Sequence, residues 1–108
     1  MNLAEKYLVN KGTTTINVDI PEWGDVKIRS LSLSEMDRLE KKIQNNPSEA
    51  LALAVLLGVS DENGKRVFTD NNLDDIKATS FQVVKSVAES VIKHNSLTAE
   101  VVEDAKKN

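Results

Sequence analysis

IPEWGDVKIRSLSLSE, residues 20–35, changes from a strand pattern to a helix pattern. The other elements of the chain can be placed relative to this change. Residues 15–20 and 26–29 alternate apolar and polar side chains, which is the period of a half-buried strand. PEWGD, residues 21–25, lies between them and holds a proline and a glycine, so it predicts a hairpin loop. The only tryptophan, Trp23, then lies at the hairpin tip. Since a two-stranded ribbon is marginally stable alone, we expect it to pack on helices.

Trp23 has two interpretations at this position. Its ring could fold back onto the helices and cover the inner face of the ribbon. It could also stay exposed and anchor a partner, because tryptophan is enriched where binding energy is concentrated. The sequence pattern alone leaves both open.

A surface helix follows the hairpin. SLSE, residues 32–35, matches the capping-box pattern that begins a helix. Met36, Leu39 and Ile43 form a narrow apolar stripe, and most other positions are charged, which indicates a helix on the surface. We expect it to end near residues 44–47, QNNP.

The next helix is predicted over residues 47–58. Asn46 suits the N-cap, Pro47 the first helical position and Glu49 the third, while Gly58 suits the end. The residues between are apolar nearly all round, so this helix should be the buried centre of the fold.

The second half of the chain is less regular. Residues 59–68, around an Asn-Gly turn, predict a tight connection or a minimal hairpin, and residues 73–78 a short helix. TSFQ, residues 79–82, predicts a capping box that begins a longer helix. Thr98 is predicted to cap a last helix over residues 99–106. The longer helix has one broad apolar face: Val83, Val84, Val87, Ala88, Val91 and Ile92.

These elements predict a mainly α protein of the α+β class, with an N-terminal β-hairpin packed on a small bundle of about four to five helices. Residues 1–12 would be an N-terminal arm or a short helix. Residues 13–108 would be a single domain, with the hairpin at 13–31 and the helices at 33–106.

Composition excludes several classes of function. The chain has no cysteine and one histidine, His94, so thiolate chemistry, a catalytic triad and a histidine metal pair are hard to build. Its net charge of −3 disfavours nucleic acid as a partner and a transcriptional regulator as a function, and its longest apolar run, residues 50–57, is too short for a bilayer. We therefore expect a soluble, intracellular, non-enzymatic protein with no catalytic, metal or cofactor residues.

Three segments together resemble one family. They are VDIPEWGDVKIRSLSLSEMDRLEK at 18–41, DENGKRVFTDNNLDDIKATS at 61–80 and HNSLTAEVVEDAKKN at 94–108. In this order and spacing they resemble the tail assembly chaperones of long-tailed bacteriophages and prophages. The matching positions are Pro21, Glu22, Trp23, Gly24, Val26, Ile28, Arg29, Asp61, Glu62, Gly64, Phe68, Asn95, Leu97, Lys107 and Asn108. Asp25, His94 and Ser96 depart from the family pattern.

The resemblance implies a protein that binds the tape measure protein, keeps it soluble and recruits tail tube subunits. It also implies the host bacterial cytoplasm as location, absence from the mature virion and possible homo-oligomers. Many such chaperones have a longer, frameshifted form, and this chain would be the short one. The alternative is a tail-completion subunit retained in the virion.

A helical client would need an apolar groove. The stripe on 36–43 and the face on 83–92 could supply one, or the helix at 47–58 could fill both. The candidate partner-binding residues are Trp23, Ile28, Arg29, Met36, Leu39 and Leu97.

Overall fold

The structure, a computed structural model, describes residues 2–9 and 11–95. Its elements are α1 (Leu3–Val9), β1 (Thr15–Ile20), β2 (Gly24–Arg29), α2 (Leu33–Asn45), α3 (Pro47–Gly58), β3 (Val59–Ser60), a 3-10 turn (Asp70–Asn72), α4 (Leu73–Lys77) and α5 (Phe81–Asn95). One antiparallel sheet has the order β1-β2-β3, and helices form most of the rest. The predicted mainly helical α+β class with an N-terminal hairpin is confirmed.

The hairpin loop is shorter than the sequence predicts. Gly24 pairs with Ile20 and Asp25 with Asp19, so only residues 21–23 form the loop. The Trp23 N–H donates to the Ile20 carbonyl over 3.1 Å. Glu22, at the third position of this turn, has a φ of 78°, the left-handed conformation that glycine usually supplies. The prediction of a five-residue loop was wrong, because Glu22, which is not a glycine, makes the sharp turn.

The sheet has a third strand, β3, whose pairing with β2 was not predicted from the sequence. Lys27 of β2 pairs with Ser60, and the segment after β3 turns back onto it. The Val67 N–H donates to the Val59 carbonyl over 3.1 Å, and the Asp61 N–H to the Lys65 carbonyl over 2.9 Å. The minimal hairpin, one of the two predicted alternatives, is therefore present. A two-residue strand is too short for its periodicity to be recognised.

The caps of α2 and α3 confirm two predictions. The Ser32 hydroxyl accepts from the Glu35 N–H, and the Glu35 carboxylate accepts from the Ser32 N–H, which completes a capping box. Asn46 accepts from the Glu49 N–H over 3.3 Å, with Pro47 first in α3. Residues 52–58 are all buried, so α3 is the centre of the core as predicted.

The long C-terminal helix, α5, begins at Phe81, and the predicted capping box at 79–82 is wrong. The Thr79 hydroxyl donates instead to the Asp75 carbonyl of the preceding helix over 2.9 Å. The broad apolar face is otherwise as expected: it packs on α3, and five of its members are buried. Gly58 permits the closest approach, because a Cβ there would lie 2.3 Å from a methyl of Val91.

Helix α3 also covers the stripe on α2, so neither predicted stripe forms an open groove. Met36 and Leu39 are buried and Ile43 packs against the core. At the N-terminus, residues 3–9 are helical, and none of them is buried. The helix predicted at 99–106 lies outside the described residues.

Candidate partner-binding surface

The tip of the hairpin packs against the rest of the domain through an aromatic contact. The rings of Trp23 and Phe68 have centroids 6.1 Å apart and planes tilted by 47°. Both side chains are half-buried and pack on the core cluster. Of the two interpretations of Trp23, the structure has the one in which the ring covers the core, and the exposed part of the side chain remains accessible to a partner.

Three predicted partner residues lie inside the domain. Ile28 is 0% exposed, Leu39 1% and Met36 6%. A partner could contact Ile28 only if α5 separated from the sheet, and Met36 and Leu39 only if α2 separated from α3; in this conformation all three pack the core. Their role in binding stays a prediction. Leu97 lies outside the described residues.

Arg29, another predicted partner residue, connects four parts of the fold. Its Nε donates to the Gly64 carbonyl over 3.0 Å, and its Nη1 donates to the Leu57 carbonyl over 2.8 Å. Nη1 also lies 3.1 Å from both carboxylate oxygens of Glu35. The guanidinium thus joins β2 to the start of α2, the end of α3 and the turn after β3. A cation at the C-terminal carbonyls of α3 also suits the helix dipole.

Glu35 is held in its charged form by these contacts. Burial of the carboxyl acts to raise its pKa, but hydrogen bonds from the Ser32 N–H and from Arg29 outweigh it, together with the charge of Arg29. The pKa of Glu35 therefore lies below its ordinary value of 4.5. The pair is a structural ion pair.

The turn that receives Arg29 is built by a second carboxylate. The Lys65 and Asn63 N–H groups donate to Asp61 Oδ1 over 3.0 and 2.8 Å, and they hold the pKa of Asp61 below its ordinary value. Gly64 has a φ of 80°, which glycine adopts without strain. This turn directs the Gly64 carbonyl at Arg29.

The end of α5 is tied to the end of the hairpin. Asn95 Oδ1 accepts from the Leu31 N–H over 2.7 Å, while its Nδ2 donates to the carbonyls of Val91 and Arg29. His94 Nε2 lies 3.1 Å from the Thr14 hydroxyl. Motif residues from all three quoted segments thus meet in space and hold the sheet on the helices.

A partly apolar groove lies elsewhere, between α3, α4 and α5. It encloses about 290 Å³ and is lined by five apolar side chains, Leu51, Ala52, Ile76, Phe81 and Val84, and by five polar ones, Asn46, Ser48, Glu49, Lys77 and Thr79. Phe81 is 64% exposed. Phe81 was not among the predicted partner residues, because TSFQ at residues 79–82 predicts a capping box that includes it. Its position just before an apolar helical face was the available clue.

Other chemistry is not evident in the described part of the chain. Within residues 2–9 and 11–95, no three histidine, cysteine, aspartate or glutamate side chains cluster where they could hold a metal ion. No helix among the same residues has both the length and the apolar character to cross a membrane.

Comparison with solved structures finds a likeness over most of the chain. The solved structure of the bacteriophage HK97 tail assembly chaperone superimposes with a TM-score of 0.64, over 85% of this chain and 97% of that chain. The chain has the fold of that chaperone. The sequences are 16% identical, so the likeness establishes the fold and no more. No family model and no curated protein matches the sequence.

Proposed function

We propose that this protein is a tail assembly chaperone of a long-tailed phage or prophage. One observation carries the proposal: the fold is that of a known tail assembly chaperone, although the sequences have diverged to 16% identity. The sequence motifs agree with it, because Trp23 contacts Phe68 and Asn95 donates to the Arg29 carbonyl, so motif residues far apart in sequence meet in this fold. In this role the chain acts without catalysis.

The proposed client is the tape measure protein, a long helical chain, and the chaperone keeps it soluble in the host cytoplasm and recruits tail tube subunits. The groove around Phe81 is the surface we assign to the client. An apolar groove of this kind accepts large apolar side chains from one face of an amphipathic helix. Lys77 and Glu49 also line it and lie 3.8 Å apart, so polar contacts can hold the helix beside the apolar ones.

Co-expression with the tape measure protein of the same phage or prophage tests the proposal. The soluble fraction of the tape measure protein should rise when the wild-type chain is present. It should fall again with Phe81→Asp, whereas Val67→Asp, at a residue 51% exposed and away from the groove, should behave as wild type. Equal solubility with and without the chain would contradict the proposal.

Mass spectrometry of purified virions separates the chaperone from a tail-completion subunit. The proposal requires that the protein be absent from finished particles. Its presence in stoichiometric amount would favour the structural subunit instead.

A further inference from the structure

The volume of the groove around Phe81 limits what it can hold. It encloses about 290 Å³. A protein cavity of about 150 Å³ holds one benzene molecule, so the groove has room for about two large side chains. On one face of a helix, two such side chains lie three or four positions apart. The groove therefore fits a short pair of anchors about one helical turn apart.

The apolar floor of the groove is already in place. Ala52, Ile76 and Val84 are buried members of the core cluster, and Leu51 packs against it. Phe81 differs from them because its side chain is 64% exposed. A surface that is held by the core loses little conformational freedom on binding. Most of the apolar area that a partner would newly cover belongs to Phe81.

The charges at the groove are not balanced. Among the described residues that line it, Glu49 and Lys77 carry charge. The Glu49 carboxylate lies 3.8 Å from Lys77 Nζ and 3.6 Å from the Nζ of Lys42, which comes from α2. One carboxylate therefore faces two ammonium groups. This leaves one positive charge in excess, although the whole chain has a net charge of −3.

A third lysine contacts the aromatic side chain itself. Lys85 Nζ lies 6.0 Å from the centroid of the Phe81 ring, within the range of a cation–π contact. It also lies 3.9 Å from the carboxylate of Glu89, so this lysine has a counter-charge of its own. The positive excess therefore stays on the side of the groove formed by Lys42 and Lys77.

We propose that this groove selects amphipathic helical segments of the tape measure protein with two large apolar side chains one turn apart and an acidic side chain beside them. The inference rests on the proposed chaperone function and adds the chemistry of the bound segment. The apolar pair packs against Phe81 and the buried floor. The carboxylate pairs with Lys77, whose counter-charge from Glu49 is shared with Lys42.

The acidic side chain supplies the selectivity. A long helical client offers pairs of apolar side chains at many places, so the apolar floor alone distinguishes them poorly. A lysine in the acidic position would add another cation beside Lys42 and Lys77, where like charges repel. The charge at this position therefore determines which apolar pairs are bound.

Overlapping 20-residue peptides of the tape measure protein of the same phage or prophage test the proposal. Fluorescence anisotropy with the purified full chain should find that the bound peptides contain the apolar pair and the acid. Phe81→Asp should abolish their binding. Exchange of the acid for lysine in the tightest peptide should weaken binding about fivefold, because exposed ion pairs are individually weak. Absence of binding by every peptide, or equal binding of the acidic and lysine forms, would overturn the proposal.

Two groove variants should move the preference in opposite directions. Lys77→Gln removes the excess cation, so the acidic and lysine peptides should bind about equally. Glu49→Gln leaves both lysines without their shared carboxylate, so the preference should widen to about tenfold. Lys41→Gln is the control, since it makes the same change of net charge as Lys77→Gln at a residue 71% exposed in α2. A preference that survives Lys77→Gln, or that Lys41→Gln removes equally, would overturn the assignment.

The same titrations distinguish other occupants of the groove. Peptide affinity that falls as the concentration of the chain rises would place a second copy there. Tighter binding by Leu97→Asp would place the end of the chain itself there, and either result would overturn the proposal. If the wild-type chain solubilises the tape measure protein while acidic and lysine peptides bind alike, the selectivity is wrong and the chaperone function stands. If the wild-type chain fails to solubilise it, the chaperone function itself is wrong.

Discussion

Replacing Arg29 by methionine should destabilise the fold more than any other single charge removal among the ion pairs described. Methionine keeps most of the aliphatic stem and removes the guanidinium. The change breaks the ion pair to Glu35 and leaves the Leu57 and Gly64 carbonyls without their donor. The two charged side chains are only 12% and 16% exposed, so water replaces these contacts incompletely.

The magnitude follows from that burial. Removing one partner of a buried ion pair costs about 3–5 kcal/mol, and the residual exposure puts Arg29→Met at the lower end, about 3 kcal/mol. A chain of 108 residues unfolds with an entropy of about 0.23 kcal/mol/K. The melting temperature should therefore fall by about 13 °C. Thermal and urea unfolding followed by circular dichroism would measure both quantities.

Arg38→Met is the matched control. Arg38 and Asp70 form a 3.3 Å ion pair whose side chains are 44% and 68% exposed, so its loss should cost about 0.5 kcal/mol or less. A cycle of Arg29→Met, Glu35→Gln and the double variant should give a coupling of about 1–2 kcal/mol. Equal costs for the two arginines, or additive effects of Arg29 and Glu35, would refute the role assigned to the buried pair.

The ion pair between Arg29 and Glu35 should make the free energy of unfolding fall as the pH is lowered. The pKa of Glu35 is lower in the folded chain than its ordinary value of 4.5, so the unfolded chain binds more protons in this window. The stabilisation is complete above about pH 4.5 and is lost as the pH falls through the lower folded pKa. The difference between wild type and Arg29→Met should shrink accordingly in acid.

Three further substitutions test packing and backbone conformation. Gly58→Ala forces a methyl against Val91 and should lower the free energy of unfolding by about 1–3 kcal/mol, with the double variant carrying Val91→Ala recovering part of it. Glu22→Gly should raise that free energy by about 0.5–1 kcal/mol, because glycine adopts the positive φ at less cost. Trp23 should fluoresce at shorter wavelength in the folded monomer than in urea, and Phe68→Ala should shift it toward the unfolded value; an unchanged spectrum would contradict the observed ring contact.

The elements whose apolar residues repeat regularly over several turns, and whose caps match known motifs, were predictable from the sequence. The α3 boundaries and the Ser32 capping box follow from local residue choice, because the side chains bond the backbone a few residues away. The three-residue hairpin loop was not predictable, since the left-handed turn residue is a glutamate. The two-residue β3 depends on tertiary pairing with β2.

The groove around Phe81 was not predicted, and for the motif residues the sequence indicated the positions but not the geometry. The family-like motifs singled out Trp23, Arg29 and Asn95, yet nothing local indicates that Arg29 bonds the Leu57 carbonyl. Burial of Ile28 and exposure of Phe81 likewise depend on how the helices cross. Sequence patterns identify which face of an element is apolar, whereas the neighbouring elements determine whether that face is covered.

The Arg29 contacts also have a consequence for the order of folding. Its partners lie 6, 28 and 35 residues away along the chain, in α2, in α3 and in the turn after β3. All of them can be in place only when these separate parts have assembled, which argues for late formation of the cluster. Contacts that form after the transition state act on the unfolding rate. Arg29 should therefore act mainly on the unfolding rate: its removal should speed unfolding and leave the folding rate nearly unchanged.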